Sequence, residues 1–249
     1  MADRLSCWNG LTDYEGQIVS LNHRPAGAAI RERVRKLLTT GAVAADLGCG
    51  PGFFLDALAG ASALYAVDWS AAMLDRARER APAGTAFLEH DLRDLALPQP
   101  ADLAICLNAL MPESHGDVIS ILNAIVRNMA PCGTLILVAP SLESQLYTIN
   151  MRHYAETAAG REDESIEYVM DSFMNWFNNP LGYVRSKNDQ VTKFWLRAEM
   201  EALLITDIGL AIEERFKAPV FWRDFQDEAD WQAKYEPPWM WGWVVRKPA

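Results

Sequence analysis

Cysteine and histidine are both scarce, with four of each in 249 residues. Cys7, Cys49, Cys106 and Cys132 are widely scattered, which suggests neither a disulfide framework nor a zinc site. His23, His90, His115 and His153 show no H-x-x-x-H or H-E-x-x-H spacing, so no metal centre is expected. Long apolar runs are missing too. Nothing approaches a membrane-spanning helix, and the first residues, with Asp3, Arg4 and Asn9, lack the apolar core of a signal peptide. A soluble cytoplasmic protein with no membrane contact is expected. Positive charge is in deficit: 23 Lys and Arg against 33 Asp and Glu give a net charge of −10. That balance argues against bulk DNA or RNA as a partner, since such binding draws on clustered cations. The basic group Arg31, Arg33, Arg35 and Lys36 reads as the solvated face of an amphipathic helix.

What the chain does have is a regular alternation. Half of its residues are hydrophobic, enough for one large domain. Short apolar runs at 42–46, 63–68, 85–89, 101–107 and 134–139 alternate with helical patterns, as in βαβ units around a parallel sheet. Val118, Ile121, Leu122, Ile125, Val126 and Met129 recur at helical intervals, and Pro131 and Gly133 are expected to close that helix. Ile30, Val34, Leu37 and Leu38 predict a helix before the first strand, ending at Gly41. Residues 8–20, with Trp8, Tyr14 and Ile18, are expected to form a lid. After Pro140 the rhythm stops for about fifty residues, too long for an unstructured loop in a compact domain. Helical spacing of Leu142, Leu146 and Ile149, and of Ile166, Val169, Met170, Phe173 and Phe177, predicts a helical insertion over 141–190. A helix over 194–207, a strand near 210–217 and a last strand over 240–246 complete the chain.

One stretch carries the chemistry: Ala44-Ala45-Asp46-Leu47-Gly48-Cys49-Gly50-Pro51-Gly52-Phe53-Phe54. An acidic strand end runs into three alternating glycines and then into a predicted helix. Glycines lacking Cβ permit a sharp turn and allow a bulky ligand against the backbone. A dinucleotide fingerprint needs G-x-G-x-x-G, yet the third glycine here is Gly52 and the fingerprint position holds Phe53. A nicotinamide cofactor is therefore disfavoured.

The D-L-G-C-G-P-G segment resembles the first motif of class I S-adenosylmethionine (SAM)-dependent methyltransferases, an acidic residue followed by G-x-G-x-G. Asp46, Gly48, Gly50 and Gly52 match it position by position, with Cys49 inside the turn. The resemblance implies an α/β fold, a Rossmann-like seven-stranded mostly parallel sheet with helices on both faces and a helical insertion. It implies SAM as cofactor, with the loop against the amino-acid portion. SAM carries an ammonium and a sulfonium, so a carboxylate beside the loop is tolerated where a pyrophosphate would be repelled. The expected organisation is an N-terminal helical segment or lid (1–41), a SAM-binding core (42–140), an insertion capping the substrate (141–190) and the remainder of the same domain (191–249).

Asp68 ends the second run, where a carboxylate can accept from both ribose hydroxyls, with Trp69 stacking near adenine. Asp68 or Ser70 as a helix cap is the simpler alternative. The resemblance puts Asp91 on the exocyclic amine of adenine and the adjacent Leu92 amide on its ring. His90 beside them reads as structural or cofactor-adjacent. Leu107 and Asn108, at the end of the fourth run, fall beside the methionine portion, and Asn108-Ala109-Leu110-Met111 departs from the Asn/Asp-Pro-Pro-aromatic pattern of nucleic-acid amino-methyltransferases. Leu110 and Met111 are expected to wall an apolar substrate pocket. Methyl transfer is an in-line displacement that runs largely on orientation, so no catalytic motif is required. Candidates for a base or substrate anchor are His153, Tyr154 and Tyr147. Trp222, Trp231, Tyr235, Trp239, Trp241 and Trp243 crowd 22 residues, as packing around the last strands or as an aromatic cage. The resulting expectation is a methyltransferase acting on a small molecule. The alternatives are a methyltransferase of protein or RNA, or a non-catalytic SAM-binding regulatory module.

Overall fold

The computed structural model describes residues 21–110, 114–163, 165–167, 169–170, 181–185, 191–224 and 229–249. The five apolar runs become strands β1 (Val43–Leu47), β2 (Ala63–Asp68), β3 (Ala86–Glu89), β4 (Ala101–Leu107) and β5 (Met129–Pro140). All five are parallel to their neighbours among themselves. In β1 four of five residues are buried, as a strand covered on both faces requires. β6 (Tyr183–Arg185) and β7 (Val191–Lys193) form a separate antiparallel pair. β8 (Ala211–Pro219) and β9 (Trp239–Arg246) join the main sheet antiparallel, giving the order β3-β2-β1-β4-β5-β9-β8. The seven-stranded, mostly parallel sheet expected from the sequence is present. Its strand order reverses at β1, between β2 and β4, which opens a crevice at the carboxyl ends of these strands.

Helices cover both faces. α1 (Pro25–Leu37) has proline in its first turn, where no amide partner is lost, and buries Ala26, Ile30 and Val34. Burial of Ile30 and Val34 contributes about 1.5–3 kcal/mol each. Two members of its basic group are not merely solvated. The Arg33 guanidinium lies 3.8 Å from the Phe216 ring centre and bonds Glu214 at 2.6 Å, while Arg31 donates to the Phe53 carbonyl at 2.6 Å. α2 (Ala71–Arg78) is capped by Ser70, whose hydroxyl accepts from the Met73 amide. On the other face, α3 (His115–Arg127) buries Val118, Ile121, Leu122 and Ile125.

Four local expectations change. The segment after the glycine motif forms only a 3-10 turn, Leu55–Leu58, because eight residues from Phe53 to Gly60 must return the chain to β2. The helix expected to stop at Pro131 and Gly133 stops at Asn128. β5 then begins with an irregular stretch in which Cys132 has φ 59°, between the pairs Ala101↔Met129 and Leu103↔Thr134. The segment after Pro140 opens with α4 (Leu142–Ala158) but ends in the β6–β7 hairpin, so it is not helical throughout. The predicted 194–207 helix divides into α5 (Arg197–Ala202) and a π-helical turn, Leu203–Asp207. Trp8, Tyr14 and Ile18 lie outside the described residues, as does Met111.

Candidate functional site

Asp46, Asp68, Asp91 and Asn108 lie at or just beyond the carboxyl ends of β1, β2, β3 and β4, four adjacent strands. Backbone hydrogen bonds tie these ends together. The Gly48 and Cys49 amides both donate to the Val67 carbonyl, at 2.8 and 2.9 Å, and the His90 amide donates to the Asp68 carbonyl at 3.0 Å. On the far side the Asn108 amide donates to the Val138 carbonyl at 2.8 Å. His90 thus enters through its backbone, as a structural residue.

Asp68 is the centre of this arrangement. Its two carboxylate oxygens accept from the Gly50 amide at 2.8 Å and the Ser70 amide at 2.9 Å. The capping alternative is therefore real, since Asp68 serves the turn before α2. An ionised carboxylate has about four lone-pair sites, so two backbone bonds leave acceptor capacity for hydroxyls. Asp46 is only 3% exposed and Asp68 8%. Burial, reinforced by Asp68, pushes the Asp46 carboxyl up to about 8. Burial also raises the Asp68 carboxyl, opposed by its backbone donors at Ser70, Gly50 and Trp69. Burial holds the Cys49 thiol far above its ordinary range, with Asp46 and Asp68 adding to the effect. A protonated, buried thiol makes Cys49 a packing residue and no nucleophile.

The glycines earn their positions differently from the sequence expectation. Gly48 has φ 75°, and a Cβ there would stand 2.4 Å from the Ala109 Cβ. Gly52 has φ 80°, and a Cβ there would stand 2.9 Å from Ala77 and from the Leu55 side chain. At both positions the close approach is by protein, from the loop after β4 and from α2, so these two glycines pack the crevice walls. Asn108 also takes a left-handed conformation, φ 58°, which turns the chain sharply after Leu107.

Asp91 accepts a fork from Arg93, Nε at 3.0 Å and Nη2 at 2.5 Å, and also accepts from the Arg93 amide. Arg93 reaches on to Asp117 in α3 at 3.2 Å. This Asp91–Arg93–Asp117 bridge fastens the loop after β3 to the first turn of α3. The Arg93 guanidinium is raised above its usual range, first by its hydrogen bond to Asp91. Sequence reasoning overlooked Arg93, although its position two residues beyond Asp91 in a tight turn was the available signal. Leu92, Trp69 and Leu107 are half-buried along the same edge.

The base candidates have local partners of their own. Tyr147 donates its hydroxyl to the Glu236 carbonyl at 3.0 Å and packs on Trp222 and Trp239, with ring centres 5.9 and 5.3 Å away. Its phenol is raised by burial, then by Glu236 and Tyr235. The His153 Nδ1 is 2.7 Å from the Ser165 hydroxyl, and Tyr154 is 64% exposed. Among the described residues none of the three bonds the strand-end group. Leu110, expected to wall a pocket, is wholly buried in the core with Val118 and Leu122. Its side chain is occupied by packing under α3.

The crevice fits SAM in this chain's own terms: two buried carboxylates favour a cationic ligand, and Asp68 has acceptor capacity for hydroxyls. Residues 44–133 match the family model described as methyltransferase domain. The chain carries a class I SAM-dependent methyltransferase domain. Its cofactor is accordingly SAM. Over 100 residues it is 36% identical to trans-aconitate 2-methyltransferase of Rhizobium leguminosarum bv. trifolii, a match covering 39% of this chain and 38% of that relative. The chain therefore spans less than two fifths of the curated relative's length in this match. Among solved structures, the N-methyltransferase NodS from Bradyrhizobium japonicum WM9 with S-adenosylhomocysteine superposes at a TM-score of 0.59, with 13% identity over 99% of this chain and 97% of that one. A Haloferax volcanii methyltransferase in complex with a methyltransferase activator gives 0.64 at 18% identity, covering 99% of each chain. These likenesses establish the methyltransferase fold. No described helix is long and apolar enough to cross a membrane.

Proposed function

We propose that this methyltransferase transfers the methyl group of SAM to a small organic acid, forming a methyl ester. The observation that carries the cofactor half is the pair of buried carboxylates, Asp46 and Asp68, at the glycine turn. In this reading Asp68 accepts from the ribose hydroxyls while its existing bonds to the Gly50 and Ser70 amides hold it in orientation. Trp69 flanks the adenine. Asp91 accepts from the exocyclic amine, fixed in place by the Arg93 fork, and the Leu92 amide meets the ring. Asp46 supplies negative potential for the ammonium and sulfonium through the turn Gly48, Cys49, Gly50, Gly52. Leu107 and Asn108 border the methionine portion. In this reading residues 42–140 hold the cofactor and the strands of 191–249 complete the sheet.

The acceptor half rests on the trans-aconitate 2-methyltransferase likeness and on chemistry. Bound SAM supplies an electrophilic methyl carbon on a sulfonium. A carboxylate acceptor is already ionised at neutral pH, so the chain need hold no general base. That agrees with Tyr147 donating its hydroxyl to a backbone carbonyl and with His153 hydrogen-bonding Ser165. The remaining work is alignment: one oxygen of the acid forms the new O–C bond as the S–C bond breaks, the anion and the sulfonium becoming a neutral ester and a neutral thioether. Burial of the opposite charges before reaction raises their mutual attraction and excludes water from the methyl carbon.

Methyl transfer from labelled SAM to trans-aconitate by the purified chain tests the reading, with ester formation abolished in Asp68→Ala as the expected result. Transfer to a protein or RNA fraction with none to organic acids would overturn the acceptor assignment.

A further inference from the structure

Because the glycine turn runs into a 3-10 turn, no α-helix follows it to take up its carbonyls. Backbone amides meet part of the need. Gly52 donates to the Cys49 carbonyl at 3.0 Å, Leu55 to Gly52 at 3.3 Å and Ala57 to Phe54 at 3.0 Å. The Pro51 and Phe53 carbonyls receive guanidinium groups: Arg31 Nη2 donates to Phe53 at 2.6 Å, and Arg80 Nη1 donates to Pro51 at 3.4 Å. A charged donor makes a bond roughly twice as strong as a neutral one. The same two guanidiniums cover the neighbouring rings, Arg31 at 4.5 Å from the Phe54 ring centre and Arg80 at 5.1 Å from that of Phe53.

The turn needs such holding. Pro51 stands between Gly50 and Gly52, both left-handed at φ 51° and 80°, and glycine reaches either hand at similar cost. In a planar trans peptide the carbonyl and the following amide point to opposite sides, so a carbonyl gripped from one side aims the next amide to the other. Arg80 thereby orients the Gly52 amide, and Arg31 the Phe54 amide. Next to them, the Gly50 amide meets Asp68 at 2.8 Å, a bond that a shifted turn would lose. Arg31 is rigidly mounted on α1. Arg24, just before this helix, donates to Asp224 at 2.9 Å with both side chains largely buried, and Arg33 bonds Glu214 of β8 at 2.6 Å. Asn22 at 2.5 Å and Asp56 at 3.3 Å complete the surroundings of Arg31. Arg80 extends from an exposed position just past α2, the helix whose Ala77 packs against Gly52.

We propose that Arg31 is a positioning residue for the cofactor: through the Phe53 carbonyl it fixes the backbone turn against which the amino-acid portion of SAM lies, with Arg80 holding the same turn at Pro51. The proposal rests on the reading of the glycine turn as the cofactor seat and adds the side chains that set its shape. Neither arginine touches the ligand in this account. Their effect reaches it through the turn, where small displacements of a preorganised site are costly.

The full chain and its variants are titrated with S-adenosylhomocysteine by calorimetry, with circular dichroism melts on the same samples. Arg31→Met is expected to weaken binding about tenfold, and Arg31→Lys, which keeps a cationic donor, to regain most of that loss. Arg80→Met, at an exposed position, is expected to weaken binding about threefold. Arg33→Met supplies the contrast: it strips α1 of its Glu214 and Phe216 contacts and lowers the melting temperature, yet affinity stays within twofold. Native affinity in folded Arg31→Met overturns the proposal, as does an equal loss in Arg33→Met or a lysine variant that binds no better than the methionine one. Should Arg31→Met fail to fold, native affinity in Arg80→Met overturns it instead. The unaltered chain separates the two failures: binding there with unchanged variants rejects the positioning role alone, whereas no binding there rejects the cofactor seat itself.

Discussion

The two ends of the crevice are built by different means. On the β3-β2-β1-β4 side, Gly48, Cys49, Gly50, Ser70, His90 and Asn108 are fixed by their backbone amides, and Asp68 receives two of them. On the β5-β9-β8 side, side chains hold the structure: Tyr147 with Trp222 and Trp239, Trp222 on Trp231 at 5.1 Å, and Lys217 over Trp239 at 4.0 Å. A backbone-built wall tolerates substitution of neighbours and keeps one shape, which suits an invariant cofactor. A wall of side chains is redrawn by single substitutions, which suits an acceptor that differs between related enzymes.

The largest effect expected from breaking this contrast is at Asp68. On the proposed ribose-binding role, Asp68→Ala removes two acceptor bonds of about 1.5–3 kcal/mol each, so calorimetry is expected to read a loss of at least about a hundredfold in S-adenosylhomocysteine affinity. Asp68→Asn, which keeps the shape, is expected to lose less. Next is Gly48→Ala. The left-handed φ and the 2.4 Å approach to Ala109 combine about 1–2 kcal/mol of backbone strain with about 1–3 kcal/mol of overpacking, so urea unfolding is expected to show a destabilisation of about 2–5 kcal/mol.

A smaller and directional effect follows from Asp46. Its folded carboxyl titrates near 8, far above the unfolded value of about 4. Between those values the unfolded chain has released the proton and the folded chain retains it. Stability of the cofactor-free protein is therefore expected to fall as pH rises from about 4 to about 8, and to level off above that. Thermal melts of Asp46→Asn should show a flatter profile over the same window. Equal slopes in both proteins would contradict the assignment. Smaller still, Arg93→Ala frees Asp91 from its fork and is expected to weaken S-adenosylhomocysteine about three- to tenfold, with little change in stability because the pair is partly exposed. At the bottom of the scale, Tyr154→Ala on an exposed face of α4 should alter neither cofactor affinity nor stability measurably.

What the sequence made legible follows the same division. The parallel strands announced themselves through apolar runs covered on both faces, and the acids at their ends were found because a carboxylate closing such a run is out of place unless it has work there. The position of Asp68 at the crevice was readable for that reason. Its double duty to Gly50 and Ser70 was not, since that depends on how two loops meet. Periodicity misjudged the turn after Gly52, where too few residues remained for an α-helix, and the close of the helix before β5, where Pro131 and Gly133 belong to a strand irregularity. Leu110 was misread because an apolar residue after a strand end carries no mark of which way it faces; here it faces the core. The Tyr147–Trp222–Trp239 group joins Tyr147 to tryptophans 75 and 92 positions away, a separation that neither spacing nor composition encodes.

The central claim is that Asp46 and Asp68 form a buried anionic seat for a cationic cofactor. Calorimetric titration of the intact protein with SAM at neutral pH, in two buffers of different ionisation enthalpy, tests it most directly. Binding accompanied by net proton release, diminished in Asp46→Asn, is the predicted result, because the cation draws Asp46 into its ionised form. An absence of SAM binding, or binding with no proton release and no dependence on Asp46, would contradict it.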